Sequence, residues 1–421
     1  MYNNRVAIML LLFSIITSGI AQGIIIIAIP WYFTETLQQN SLFTAWYAIL
    51  TLFGLFWGLY SGVLIDRTNR KKILISINFI NAIFFTCLWG IFHFTQYNHP
   101  LIFFSSFGVC SLYYIIFFPN LYALLQELVE PKNYVKINSI IEIQSQLINI
   151  TAALSCGILL SGSNKFFSYF KLNVNILEAW SIQDIFWLNA ILYIVTIILL
   201  IPIKYFKKHN NQLPVLQESW NDLKVAFYFL KKKKSVLIYG VCSQVIFAFL
   251  IVELFTLLPL FVQKCLKETI VIFSLADVTY GLGAIIAGMI TILLLKFIKK
   301  IDLTILLIII TGFAILLMIN LHEITIFFIA SLLIGITNAS ARVTRMSYFF
   351  DTIPNHLIGR TNTIFNAINT LIRSGLILLF SITWFSYDDN VIMGYRIGIY
   401  LLIIFVIPLI LLQLKKHNFK L

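Results

Sequence analysis

Gly62-Val63-Leu64-Ile65-Asp66-Arg67-Thr68-Asn69-Arg70-Lys71 lies between two long apolar segments and packs an acid, three bases and a chain reversal into one short connection. A loop that only joined two apolar helices would need polarity and reach. This one specifies more. Gly62 permits close backbone approach at a helix end. Asp66 can satisfy free backbone N–H groups or a basic partner, and Arg67, Arg70 and Lys71 hold the loop on one side of a membrane. Asn69 stands where the chain must reverse, and Asn tolerates the left-handed conformation nearly as well as Gly. An ordinary basic loop accounts for the bases but leaves Gly62 and Asp66 without a purpose.

The apolar surroundings are general. The 421 residues are 60% hydrophobic and 11% charged, with a mean hydropathy of +0.92. A soluble chain of this length has too little interior to hide that much apolar surface, so the excess faces lipid. Five cysteines (Cys87, Cys110, Cys156, Cys242, Cys265) show neither metal-ligand spacing nor a disulfide framework. His93, His99, His209, His322, His356 and His417 all fall near the ends of apolar segments or between them, which argues against a metal site or a nucleophilic triad. With no Gly-rich phosphate loop either, no cofactor and no enzymatic chemistry are expected. A polytopic membrane enzyme would call for clustered His, Asp or Ser at one membrane face.

Twelve spans are expected near 7–29, 42–65, 73–94, 101–125, 137–160, 183–203, 236–262, 270–295, 302–320, 324–345, 361–385 and 393–414. Arg5 and the apolar run to Pro30 look like a signal peptide but are too long, so they read as an uncleaved first span. On the side shared with the N-terminus the connections hold 24 of the 30 Lys and Arg residues; the other side holds 4, Lys165, Lys171, Lys264 and Lys267. That split puts both termini in the cytoplasm. It also explains the net charge of +13 as orientation anchors, not a nucleic-acid surface.

The spans divide into an N-terminal six-helix bundle (1–203), a cytoplasmic linker (204–234) and a C-terminal six-helix bundle (235–421). Within the linker, Ser219-Trp220-Asn221-Asp222-Leu223 opens like a capped helix, Ser219 serving as N-cap. Trp220, Leu223, Val225, Phe227 and Leu230 alternate with Lys224 and the run Lys231–Lys234, which suggests a helix lying on the inner membrane face. The bundles echo each other: Lys136-Ile137-Asn138-Ser139-Ile140 recurs as Arg360-Thr361-Asn362-Thr363-Ile364, at an offset of 224 residues. Gly281 to Lys300 is a worn counterpart of the opening loop with no acid corresponding to Asp66. Two related bundles with a midplane site are a common transporter plan, and they suit a channel poorly.

The opening decapeptide resembles the loop between helices 2 and 3 of the major facilitator superfamily of transporters, whose pattern reads G-x-L-A-D-R-x-G-R-K. Gly62, Leu64, Asp66, Arg67, Arg70 and Lys71 match; Ile65 replaces the small residue and Asn69 the second glycine. The resemblance implies an all-α fold of two pseudo-symmetric six-helix bundles and a monomer in the bacterial cytoplasmic membrane that carries a small-molecule solute. It also implies that this loop fastens the two halves at the start of helix 11, a helix N-terminus being attractive to the Asp66 carboxylate. Glu127, at the cytoplasmic end of span four, is the expected partner of Arg70.

Pro119-Asn120-Leu121-Tyr122-Ala123-Leu124-Leu125-Gln126-Glu127-Leu128-Val129, followed by Asn138, is similar to the end of helix 4 in a bacterial drug- and siderophore-efflux branch that includes macrolide and enterobactin exporters. The stretch Ser219–Lys234 is similar to it too. Two departures weaken proton antiport. Ala152-Ala153-Leu154-Ser155-Cys156-Gly157 keeps only Gly157 where drug antiporters carry a G-P pair, and the Arg-x-x-x-Gly-x-Gly pattern of helix 4 is absent. The resemblance therefore points to an exporter of a siderophore or drug, with protons as partner; an importer on the same fold is the alternative.

Charges inside hydrocarbon each cost a few kcal/mol on insertion scales, so each calls for a reason. Arg373 lies about 18 Å into the eleventh span, near the midplane. Asn362, Asn366 and Asn369 share one helix face with it. Glu142, Gln146 and Asn149 make the corresponding stripe on the fifth span. Facing one cavity, the two stripes would form the solute site, Arg373 binding an anionic or carbonyl-rich group. The plain alternative is interhelical hydrogen bonding. Glu253 and Asp277, in the outer thirds of spans seven and eight, are the proton-coupling candidates, since a carboxyl removed from water favours its neutral form. Otherwise Asp277 caps a helix and Glu253 pairs with Lys264 or Lys267. Tyr113, Tyr114 and Tyr122 line a cavity or pack.

Overall fold

The computed structural model describes residues 4–95, 99–129, 133–205, 216–387 and 390–418. Among these the secondary structure is helical throughout, and twelve spans are long and apolar enough to cross a membrane, Lys234–Thr256 counted as one of them although two helices in series compose it. In chain order the helices are α1 (Asn4–Glu35), α2 (Asn40–Arg67), α3 (Arg70–Thr95), α4 (Pro100–Leu128), α5 (Tyr134–Ser161), the short α6 (Ser163–Ser168) and α7 (Ile182–Leu200). Then come the linker helix α8 (Leu216–Lys232), α9 (Lys234–Cys242), α10 (Val245–Thr256), α11 (Leu258–Leu260), α12 (Ile270–Phe297), α13 (Lys300–Leu321), α14 (Ile324–Thr352), α15 (Asn355–Phe380) and α16 (Asn390–Asn418). Helices dominate because apolar segments of this length can satisfy their backbone groups in lipid only internally.

The chain forms two compact units. The first comprises residues 1–39, 53–213 and 269–278; the second comprises 40–52, 214–268 and 279–421. In the first, α1 packs on α5, α7 and α4, and α3 packs on α7 and α4. The opening turns of α12 belong to it: a Cβ at Gly157 of α5 would lie 2.2 Å from Ser274 Oγ. The glycine retained there is thus required by close helix approach. In the second unit α13 packs on α14 and α16, and α10 on α15. The opening turns of α2 belong to this unit, where Asn40 Nδ2 donates to the Thr256 carbonyl at 3.1 Å.

Four local readings are corrected. The decapeptide is barely a loop, because Gly62–Arg67 are the last turns of α2 and only Thr68 and Asn69 separate it from α3. Gly62 makes no close approach, since a Cβ there would meet nothing within 4 Å. Asn69 does not adopt the left-handed conformation. Its side chain instead accepts from Lys72 N at 3.1 Å and caps α3, the commoner use of Asn at a helix start. Finally, Ser219 lies inside α8, not at its N-cap.

The seventh span holds the largest departure. In place of one continuous helix over 236–262, α9 ends at Cys242, α10 begins at Val245, and a π-helical turn occupies Phe261–Cys265.

Candidate functional site

The α2–α3 corner is built on an apolar base. Buried Ile65, Ile73 and Ile116 pack with Trp57, Leu64, Ile77 and Ala123, so the Ile65 that departs from the family pattern is core. Above that base, Arg70 Nη1 lies 2.6 Å from Glu127 Oε1 and donates to the Ala123 carbonyl at 2.6 Å. Tyr205, just past α7, donates its hydroxyl to the other Glu127 oxygen. Burial and the Glu127 carboxylate raise the Tyr205 hydroxyl well above the ordinary tyrosine value, so it stays a donor at neutral pH. Asn120 Nδ2 donates to the Arg70 carbonyl at 2.9 Å. Lys71 reaches elsewhere: its Nζ donates to the Ile201 carbonyl at 2.7 Å, a cation capping the end of α7. Arg67 is exposed, and the Asp66 side chain lies outside the described residues.

The second unit carries an equivalent that the sequence reading missed. Lys300, at the start of α13, donates to the Ser347 carbonyl at 3.0 Å and pairs with Asp351 near the end of α14. Ser347 and Asp351 are Ala123 and Glu127 displaced by 224 residues, the same offset that relates α5 to α15. Adding that offset to Glu127 would have found the pair.

The break between α9 and α10 is the polar centre of the second unit. Residues 243–244 form a turn between the two helices, and side chains from elsewhere reach both carbonyls, that of Gln244 also accepting from Ala248 N at 2.9 Å. Arg345 Nη1 of α14 donates to the Ser243 carbonyl at 3.1 Å, and Asn369 Nδ2 of α15 donates to the Gln244 carbonyl at 3.3 Å. Arg345, expected in a cytoplasmic connection, is therefore an interhelical clasp. One turn on from each, Arg373 lies over the Phe247 ring at 5.7 Å, its Nη2 donating to Thr370 Oγ1 at 3.1 Å. Tyr47 is within electrostatic reach. Beside this break, Arg373 Nε and Gln244 Nε2 are buried donors without a partner among the described residues.

The α15 stripe is thus split in use. Asn369 is buried against the break, Asn362 is half-buried and Asn366 is exposed. Because α15 begins at Asn355, Arg373 lies about 27 Å along it, two-thirds of its length, and not at its middle. In the first unit Glu142 and Asn149 are exposed and Gln146 is half-buried. Tyr114 sits near Tyr122 and Glu142. Tyr113 is core, donating to Asn78 Oδ1 at 3.1 Å. Gln22 on α1 is also buried with an unpartnered Nε2. Each unit therefore has, on its first span, a buried glutamine with a free amide donor, a match no apolar pattern announces.

Glu253 is 7% exposed in the second unit. It pairs with neither Lys264 nor Lys267; Tyr395 of α16 donates to its Oε1 at 2.7 Å. Asp277 lies two turns inside α12, not at its cap, and beside Cys156 of α5.

The model of the Major Facilitator Superfamily matches residues 11–376. The chain belongs to that superfamily. Solved structures agree on the fold. A bacterial homologue of the human lysosomal transporter Spinster superposes with a TM-score of 0.68 at 13% identity, covering 98% of this chain and 97% of that one. The nucleoside transporter NupG gives 0.67 at 14% identity, covering 96% and 98%. The POT family transporter PepTSo gives 0.66 at 11% identity, covering 98% of both. No curated relative matches in sequence. This superfamily member is a multi-pass membrane protein and a secondary transporter.

Proposed function

We propose that this transporter exports a small organic molecule, a siderophore or a drug, from the bacterial cytoplasm by alternating access driven by protons. The observation that carries the solute side is the break at Ser243–Gln244. Buried donors left without acceptors are costly, about 1–3 kcal/mol each, and such groups are kept where a ligand supplies the acceptor. Arg373 Nε is one such donor, on a side chain lying over the Phe247 ring, and Gln244 Nε2, three residues before Phe247 in the chain, is another. An anionic or carbonyl-rich group suits them, which is the chemistry of a siderophore or an acidic drug. A discontinuous span is also how other transporters build binding sites. Glu142, Gln146 and Asn149 are the solute contacts proposed in the first unit.

Protons enter through Glu253 and Asp277. Glu253 accepts from a neutral hydroxyl and pairs with no cation among the described residues. The loop residues Gly62, Asp66, Arg67, Arg70, Lys71 and Glu127 serve the conformational change. Bases are concentrated on one set of connections, which supports a cytoplasmic-membrane protein with both termini inside. The experiment is efflux of a siderophore or test dye from loaded cells, with and without an uncoupler. Uncoupler-sensitive efflux is expected; uptake driven by the same gradient would make the protein an importer and overturn the export reading.

A further inference from the structure

The linker helix α8 carries a feature that solute transport leaves unexplained. At 100° per residue its described residues divide into two arcs. Ala226 and Leu230 are buried at 0% and 1% exposure, where α8 packs on α15. The opposite arc holds Phe227, Lys231, Lys224, Tyr228, Lys232 and Val225 in angular order. Phe227, Tyr228 and Val225 are 61%, 60% and 53% exposed. Lys232 Nζ lies over the Tyr228 ring at 4.6 Å, and Lys233 and Lys234 extend the cluster in exposed positions.

A helix face meant for water would not hold Phe, Tyr and Val outward. A face meant for lipid tails would not hold lysines between them. Aromatic and aliphatic side chains interleaved with bases, with no acid from Leu223 to Lys234, are the composition of a face seated at the boundary of an anionic membrane.

We propose that the exposed face of α8 docks on anionic phospholipid head groups, the aromatics entering the head-group layer and the lysines pairing with phosphates. This rests on the proposed cytoplasmic placement of the lysine-rich connections, and it gives lipid charge a direct mechanical contact with α15, the helix that carries Asn369 and Arg373.

The test uses the full-length protein in nanodiscs of phosphatidylcholine or of phosphatidylglycerol, read by hydrogen exchange over 223–232. Phosphatidylglycerol is expected to slow exchange there about tenfold, through suppressed local opening. High salt should reverse the effect, as should the combined K224Q/K231Q/K232Q variant, whose spans keep wild-type protection. Phe227→Ser, which keeps every charge, should lose part of the protection. Equal exchange in the two lipids overturns the proposal, as does protection that salt and charge removal leave unchanged. Protection by inorganic phosphate added to phosphatidylcholine discs also overturns it, by showing an anion site and not a membrane surface. The readout needs no transport, so failed efflux and failed lipid docking are separately visible.

Discussion

The two units solve one structural problem with different residues. In each, a base opening the third helix of its half donates to a carbonyl near the end of the fourth and pairs with an acid four residues further on. The first unit uses Arg70, Ala123 and Glu127; the second uses Lys300, Ser347 and Asp351. The first pair is sheltered, its side chains 20% and 17% exposed, and Tyr205 adds a third member. The second is open, Asp351 being 63% exposed. Geometry has been kept by the repeat while energy has not, because ion pairs gain little where water competes for both charges. Arg also offers a planar fork where Lys offers a point charge.

That contrast can be broken by substitution. Arg70→Ala leaves Glu127 and the Ala123 carbonyl sheltered without their base, and should cost about 2 kcal/mol, read as a lowered thermal midpoint in detergent. Asp66→Asn should leave the protein inserted and slow transport about tenfold, near 1.4 kcal/mol on the barrier; wild-type flux in proteoliposomes would remove the loop from the conformational change. Tyr205→Phe removes one hydrogen bond to a sheltered carboxylate, about 1 kcal/mol. Because the Tyr205 hydroxyl titrates above its ordinary value, that contribution is complete below the unfolded value of about 10 and declines only as pH rises through the folded one. The stability gap between Tyr205→Phe and wild type should therefore be flat between neutral pH and pH ~9. Lys300→Ala should cost about 0.5 kcal/mol or less. An effect as large as that of Arg70→Ala would show the units to be energetically equivalent after all.

Much of the fold was legible because long apolar runs have one outcome in lipid. The twelve spans follow from it. What escaped was set by distant partners. Nothing at Ser243–Gln244 signals a break: no proline stands there, and the turn is held by Arg345 and Asn369, each more than a hundred residues away. Glycine and asparagine in the opening decapeptide invited conformational readings, yet Gly62 needs no special space and Asn69 acts through its side chain. Arg373 stands out in the sequence as a charge inside an apolar span and Asn369 by helical spacing from it; Gln22 and Gln244 do not, since one amide in an apolar run forms no stripe.

The proposed transport depends on Arg373 in the second unit meeting an anionic or carbonyl-rich group of the solute. The most direct measurement is the thermal midpoint of the purified protein against a panel of anionic, neutral and cationic solutes, with Arg373→Gln in parallel. A carboxylate- or catecholate-bearing solute should raise the wild-type midpoint by about 2 °C or more, and Arg373→Gln should abolish the rise. Stabilisation by a cation alone, or by an anion acting equally on both proteins, would contradict that dependence.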